Sequence, residues 1–514
     1  MTEQELKRID EIVKGLVIED NPEKLAVFPY GEVGKIVAEE LNNNGKKISL
    51  IVDNGSANTD FGIIPFCDVE QPDRYIWMVC TSVKMLYFQI KNELLDAGVN
   101  EKKIIDVCGI EEEISEVISN RAKLDVIYED RIKTIKESGR KKIRFGVYLM
   151  YASEYAAYDI VEKMLEKPDL WDVKVVIIPD MMKEEAFSKK EYEKAGKFVT
   201  DLYGKDMLVE GYDFSTHTAY DHSGSFDIVY CTNCYDQHTD RVHSIEYLAY
   251  KTLPIFINYG YDVSNYYNKL RVMGRELNYV WKCFVDTIYS LEDMKKYQLI
   301  KGKNVVLSGY AKMDRLNAFK ETKHTRKKIL ITPHHSVKDK NLPLSNFLEY
   351  AEYYLELPKR YPEIDFVFRP HQLLFITLVS KGIWDSSMVE QYLASIKAAR
   401  IEYSTEGDYL NLFRECDAII NDCGSFTIEW MLTGKPGCFI RNKDLKKSQL
   451  TQLMNDALDN YYVIANNKND IDAFIQEVAE SEASPSVPEW VKKNVMVNYP
   501  NSSDAIIRSL EVFD

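Results

Sequence analysis

The feature that most constrains this chain is a rhythm. Short apolar runs of strand length are each followed by a turn and a helix-forming stretch, and the pattern repeats in successive blocks. One block opens at Lys142, with strands expected at 143–150, 173–179, 226–231, 253–257 and 305–307 and an amphipathic helix at 153–165. Another opens at Lys327, with strands expected at 328–332, 365–368, 418–420 and 437–440 and helices at 345–357, 391–399 and 426–432. Strands alternating with helices in this way predict two doubly wound α/β domains. A chain of 514 residues agrees, since at ~100–200 residues per domain it makes about three domains.

The first 123 residues supply the third. Strands are expected at 25–28, 48–52 and 75–80 and a helix at 35–42, with Gly31 and Gly34 in the first turn and Asp53 after the second strand. That order is Rossmann-like. Pro29 stands where a dinucleotide fingerprint has its first glycine, so a fold used for packing or assembly is favoured over cofactor binding, and a nicotinamide enzyme is a weak alternative. The expected boundaries are 1–123, a helical linker at 124–141, then 142–318 and 319–514.

Composition narrows the partners. Asp and Glu number 81 against 65 Lys and Arg, a net charge of −16. Such a chain is a poor non-specific nucleic-acid binder, so no nucleic-acid partner is expected. The nine cysteines are scattered, as in a reduced cytosolic protein. Residues 1–20 are charged throughout and no apolar run approaches bilayer length, which predicts a cytoplasmic location. The 34 tyrosines have no compositional explanation.

The chemistry-bearing residues gather at the carboxyl ends of expected strands. In CDAIINDCGSFTIEWMLTGKP, residues 416–436, a strand leads into Asp422-Cys423-Gly424-Ser425 and then a helix. A Gly-Ser turn entering a helix offers free backbone N–H groups and the positive end of the helix dipole to a phosphate. Capping by Asp422 or Ser425 is an equal alternative. Glu429 lies within reach of a ribose hydroxyl. FVFRPH ends a strand in Arg369 and His371, suited to phosphate contact and proton transfer. ILITPHHSV places His334 and His335 on the same sheet edge. Cys231, Cys234, His238 and His243 have the wrong spacing for a zinc finger, and no metal site is expected.

These motifs resemble those of the CDP-glycerol glycerophosphotransferases, the teichoic-acid polymerase family of GT-B fold. Members carry an Arg-Pro-His after a strand, similar to Arg369-Pro370-His371. They also carry an Asp-x-Ser-Ser turn, an acid on the following helix and a Lys-Pro end, matched here by Asp422, Ser425, Glu429 and Lys435-Pro436. Gly309-Tyr310 with Asp314 is similar to a family Gly-Tyr-x-x-x-Asp segment, and the strand ending in Pro333 resembles another. The likeness runs from about residue 142 to the C-terminus.

The resemblance implies a GT-B-like pair of Rossmann-like domains preceded by a smaller Rossmann-like domain. It implies transfer of a polyol phosphate from a CDP-activated donor to a glycan or polyol-phosphate hydroxyl, with release of CMP. His371, Arg369, His335 and Asp422 are then the catalytic candidates. His334, Gly424, Ser425 and Glu429 are those for nucleotide and phosphate binding, and Tyr259 and Gly260 lie on the acceptor side. The family's usual His-Gly base is replaced by Tyr259-Gly260, leaving Tyr259, a nearby Asp, or His217, His222 or His238 as the base. No cofactor is required, although a divalent cation such as Mg is compatible. Lipid-linked acceptors would bring peripheral contact with the inner face of the plasma membrane. The alternatives are a nucleotide-sugar glycosyltransferase of capsule or polysaccharide synthesis, and a non-catalytic nucleotide-binding assembly protein. Tyr259, Tyr261, Tyr266 and Tyr267 are candidates to line an acceptor channel.

Overall fold

A computed structural model describes residues 3–16, 24–55, 62–317, 326–405 and 409–512. The chain divides into two compact units, Met1–Ala122 and Lys123–Asp514. In the first, β1 (Lys24–Phe28), β2 (Ile48–Val52), β3 (Ile63–Ile64), β4 (Tyr75–Val79) and β5 (Ile104–Asp106) form one parallel sheet in the order β3-β2-β1-β4-β5. The helix Glu32–Asn43 buries Gly34, Val37, Ala38 and Leu41 at helical spacing. A Cβ on Gly34 would sit 2.2 Å from the Pro29 carbonyl oxygen, so only glycine lets this helix approach the end of β1. Asp53 accepts from the Gly55 N–H at 2.8 Å and closes its own turn.

A 28-residue helix, Ile110–Glu137, follows. Its second half, within the stretch expected as a linker, belongs to the second unit and packs inside it. Leu124 and Tyr128 are buried, the Tyr128 hydroxyl donates to the Tyr279 carbonyl, and Arg131 donates to the Tyr250 carbonyl at 3.2 Å.

The second unit carries two parallel sheets. The first holds β6 (Ile143–Leu149), β7 (Trp171–Ile177) and β8 (Leu208–Glu210), and a small antiparallel pair, β9 (Tyr212–Asp213) and β10 (Thr218–Ala219), lies beside it in sequence. It continues with β11 (Ile228–Cys231), β12 (Leu253–Ile257), β13 (Lys282–Val285) and β14 (Val305–Leu307) in the order β14-β13-β12-β11-β6-β7-β8. The second sheet is β15 (Lys328–Thr332), β16 (Asp365–Phe368), β17 (Glu402–Tyr403), β18 (Ala418–Asn421), β19 (Gly437–Ile440) and β20 (Val463–Ala465), in the order β17-β16-β15-β18-β19-β20. Each sheet is wound outward from its first strand in both directions, the Rossmann order, and each has a switch point beside that strand. The fold is α/β, a GT-B-like pair of doubly wound domains preceded by a smaller Rossmann-like one. The central strands β11, β12 and β18 are buried along their whole length, as parallel strands covered by helices on both faces must be. The strands not expected from sequence (β3, β5, β8, β9, β10, β13, β17, β20) have two to four residues. Runs that short carry little periodicity, and ladder partners define them instead.

The expected boundary at 318/319 lies outside the described residues. The chain does not stay in the second half after crossing it. The helix Ser502–Leu510 returns to the first half, where Asp504 pairs with Lys163 at 2.6 Å and Ser509 Oγ accepts from Lys282 at 3.0 Å. Asp314 holds its N-terminus, accepting from the Ser502 and Ser503 N–H groups at 3.1 and 2.8 Å. Gly309 adopts φ +83° with the Val497 carbonyl 2.0 Å from where a Cβ would lie. The Gly309–Asp314 motif is therefore a clamp on the C-terminal segment.

Many tyrosines are core residues whose hydroxyls are spoken for. Tyr353 and Tyr361 both donate to Asp472 at 2.8 Å. Tyr261, expected at an acceptor channel, is buried against Tyr310 with ring centroids 5.0 Å apart. Tyr259 and Tyr267 are exposed.

Candidate functional site

Strand neighbours bring the site together. β15 and β16 pair with Ile331 beside Phe368, and β15 and β18 with Thr332 beside Asn421. The residues just past these ends therefore meet, although they are far apart in sequence. The His371 N–H donates to the Pro333 carbonyl at 3.0 Å and the Arg369 N–H to the Ile331 carbonyl at 2.9 Å. The rings of His334, His335 and His371 stack into a trio with centroids 4.3, 4.1 and 5.2 Å apart. Gly424, the first residue of the helix Gly424–Met431, would carry its Cβ 3.7 Å from His334 Nε2. Arg369 donates to Ser404 Oγ at 3.0 Å and lies 5.5 Å over the Tyr409 ring.

Two expected site residues sit beneath this surface instead of on it. Asp422 is buried and both its oxygens are occupied. Oδ1 accepts from the His334 N–H at 2.7 Å, and Oδ2 accepts from the Asn346 N–H and side-chain amide at 2.5 and 3.2 Å. Burial pushes its carboxyl up to about 7 against these bonds. It is a strut holding the His334 turn from beneath the surface. Glu429 is also buried, accepting from the Tyr409 hydroxyl and interacting with Ser425 and Lys312. Burial raises its pKa, and at 1% exposure it lies below the helix entrance.

The donor nitrogens of the histidine trio lie within 4.8 Å of one another, a spacing that can also hold a cation. Hydrogen bonding favours an anion. The Ser336 N–H donates to His334 Nδ1 at 3.3 Å and the Leu373 N–H to His371 Nδ1 at 3.2 Å. A backbone N–H cannot accept, so both Nδ1 atoms must. In a neutral ring the proton then resides on Nε2, making each ring an N–H donor where a metal would need a lone pair. Magnesium prefers oxygen ligands in any case. Cys231, Cys234, His238 and His243 do not converge: both cysteines are buried, and the His243 ring contacts the Tyr220 carbonyl at 3.1 Å.

Burial depresses all three rings, and repulsion from neighbouring histidines adds to it at His334 and His371. His334 falls well below the ordinary imidazole range, and His371 falls to about 3 by desolvation and the neighbouring His335. Desolvation also lowers His335. The unfolded chain binds these protons near pH 6.5 while the folded chain resists them until lower pH. The corresponding stability is present above about pH 6.5 and is lost as pH falls toward 3. The melting temperature is expected to fall between about pH 7.5 and about pH 5, and less so in His371→Gln. A flat profile in thermal melts would contradict the neutral trio.

The first half of the unit places a second group of polar residues at its own strand ends. Tyr259 and Gly260 follow β12. The Tyr310 hydroxyl donates to the Tyr259 carbonyl, and Asn258 donates to the Gly260 carbonyl. A Cβ on Gly260 would lie 3.5 Å from Ser425 Cβ, so this loop touches the helix entrance of the second half. The two halves also meet where Thr451 binds the Val263 and Asp262 carbonyls at 3.0 and 2.8 Å. Sequence reading missed Tyr151, Glu154 and Asp180, which follow β6 and β7. The strand-end rule that found His334 and His371 applies to them equally. A cavity of about 870 Å³ forms a separate groove lined by Tyr289, Asp293, Lys295, Lys447 and Asn455 among others, and by none of these site residues.

Fold and site together define an α/β protein of GT-B-like architecture whose second half gathers His334, His335, Arg369 and His371 at its switch point. No protein-family model and no curated protein matches the chain. Among solved structures, it is similar to a putative UDP-N-acetylglucosamine 2-epimerase from Listeria monocytogenes, with 14% identity, 72% of this chain and 96% of that chain covered, and a TM-score of 0.45. A UDP-GlcNAc 2-epimerase from Neisseria meningitidis bound to UDP-GlcNAc gives 18% identity, 72% and 99% coverage, and a TM-score of 0.40. The wall teichoic acid polymerase TagF gives 12% identity, 78% and 98% coverage, and a TM-score of 0.44. The winding described above rests on this chain's own strand order. Among the described residues, no helix is long and apolar enough to cross a membrane.

Proposed function

We propose that the protein transfers a polyol phosphate from a CDP-activated donor to an acceptor hydroxyl and releases CMP. The observation that carries this reading is the neutral N–H donor cluster of His334 and His371, with His335 and Arg369, around the N-terminus of the helix Gly424–Met431. The donor diphosphate would accept from that helix entrance and from His334. Arg369, His371 and His335 would face the transferred phosphoryl group. The acceptor oxygen attacks that phosphorus, the bond to the bridging oxygen breaks, and the electron pair leaves with CMP. Charge stabilisation by fixed donors is the main catalytic term in such a transfer. Asp422 then serves by holding His334 in place. Tyr259 and Gly260 border the acceptor side, where a glycan or polyol-phosphate chain, lipid-linked in a peripheral membrane setting, would enter.

A thermal-shift screen tests this, because a ligand that binds the folded state stabilises it by mass action. CDP-glycerol or CDP-ribitol is expected to raise the melting temperature, with CMP release once a hydroxyl acceptor is added. A shift with UDP- or GDP-sugars alone would instead favour glycosyl transfer. Nucleotide binding without product from any acceptor would indicate an assembly role.

A further inference from the structure

The proposed transfer needs a group to take the acceptor proton, and among the candidate bases the structure gives one, His238, a buried partner that lies far off in the sequence. His238 Nδ1 lies 3.0 and 3.1 Å from the two oxygens of Asp180, 58 residues away in the chain. Asp180 is 2% exposed and His238 28% exposed by side chain. His238 is itself anchored, its carbonyl accepting from the Met181 N–H at 2.8 Å. Asp180 is held from two further directions: the Tyr151 hydroxyl donates to Oδ2 at 2.5 Å and the Met182 N–H donates to Oδ1 at 2.8 Å. Although burial opposes it, these bonds keep Asp180 below the usual carboxylate range, so it stays ionised. An ionised carboxylate on Nδ1 selects the tautomer with its proton there and leaves the Nε2 lone pair to accept a proton.

The neighbours of the pair are polar. Glu154, after β6, interacts with Asp180, with Asn233 and with Tyr259. Desolvation, reinforced by the Asp180 charge, pushes its carboxyl up to about 8, so it is an O–H donor near neutral pH, and its Oε2 is buried with no hydrogen-bond partner. The Tyr235 ring stands 6.2 Å from His238 and interacts with Tyr259. Tyr259 leads directly to Gly260, which meets Ser425. Asp180, His238 and Tyr259 thus follow the carboxyl ends of β7, β11 and β12, strands of one parallel sheet, on the edge where Gly260 meets the helix entrance of the second half. The other candidate bases are placed differently: His217 lies 3.8 Å from Glu185 with its side chain 63% exposed, and His222 Nε2 contacts the Glu210 carbonyl at 2.9 Å.

We propose that His238, oriented by Asp180, is the general base for the acceptor, and that the acceptor end bound here is an uncharged polyol or sugar hydroxyl. The inference rests on the phosphotransfer reading above. The acceptor O–H gives its proton to His238 Nε2 as its oxygen bonds to the phosphorus, CMP departs, and the imidazolium releases the proton to solvent. Asp180 is a positioning residue. Its charge disfavours an anionic acceptor end, and Arg271, the cation that interacts with Tyr259, is already paired with Asp262.

The test uses the full-length protein, CDP-glycerol as donor and glycerol or glycerol 3-phosphate as minimal acceptors. His238→Asn is expected to lower glycerol-dependent CMP release about 10²–10⁴-fold through kcat, with the CDP-glycerol thermal shift intact. Added imidazole should partly restore His238→Gly. Asp180→Asn should lower kcat less and slow carbethoxylation of His238 by diethylpyrocarbonate, read by peptide mass spectrometry, and Asp180→Glu should recover both. Glycerol should be used in preference to glycerol 3-phosphate. Transfer at the wild-type rate in His238→Asn, or unchanged His238 reactivity in Asp180→Asn, overturns the assignment. So does donor binding without glycerol-dependent release in the wild type. Absence of any CDP-glycerol shift in the wild type instead overturns the phosphotransfer reading, and the base with it.

Discussion

Replacing His371 with alanine is expected to lower CMP release about 10²–10⁴-fold, the range for losing an acid–base or oxyanion-stabilising group. The ring is only partly buried, and its Nδ1 accepts one backbone N–H, from Leu373, at 3.2 Å. The fold should therefore tolerate the change, and the melting temperature at neutral pH should stay near that of the wild type. The loss should appear in kcat, because a donor aimed at the transferred phosphoryl group acts most where charge develops. His371→Gln keeps an N–H donor without the proton-transfer capacity, so it separates the two roles. Recovery in His371→Gln assigns the residue to charge stabilisation, and a loss as large as in alanine assigns it to proton transfer. An unchanged CMP-release rate in His371→Ala would remove it from the reaction.

The second large effect is on stability. Asp422→Ala is expected to destabilise the second unit by about 2–6 kcal/mol, because it strands the N–H groups of His334 and Asn346 at ~1–3 kcal/mol each. Both are buried with their partner carboxylate. The denaturant midpoint should fall, and donor binding should weaken as the His334 turn loosens. Asp422→Asn retains one acceptor oxygen and should lie between alanine and the wild type. An unchanged midpoint in Asp422→Ala would show that the His334 turn is held by other contacts. The two variants make opposite signatures: His371→Ala loses rate and keeps stability, whereas Asp422→Ala loses stability first.

Much of the fold was legible locally. The strands 253–257, 328–332, 365–368 and 437–440 coincide with β12, β15, β16 and β19, because each is an apolar run cut by a turn residue or a charge. The helix after β18 begins at Gly424, two residues before the expected start, a normal fraying of helix ends. The return of the helix Ser502–Leu510 to the first half was not legible. It depends on Asp314 meeting Ser502 and Ser503 across 188 and 189 residues, and no window of sequence contains that pairing.

The same division holds for the site. Sequence alone placed His334, His335, Arg369, His371 and Gly424 at strand ends of one domain, because a strand, its turn and the next helix are contiguous in the chain. Which ring atoms accept and which donate, and hence whether the trio suits an anion or a cation, was decided by backbone N–H groups two residues further along each turn. Asp422 and Glu429 looked like site residues because spacing reports position along a strand or helix and not which way the carboxylate faces. The Asp180–His238 pair was hidden for a related reason: β7 and β11 both flank β6 in the sheet, and parallel winding brings together strand ends that lie far apart in sequence. The sequence determined which chemistry stands at the strand ends, and the sheet order decided which of those groups can act on one another.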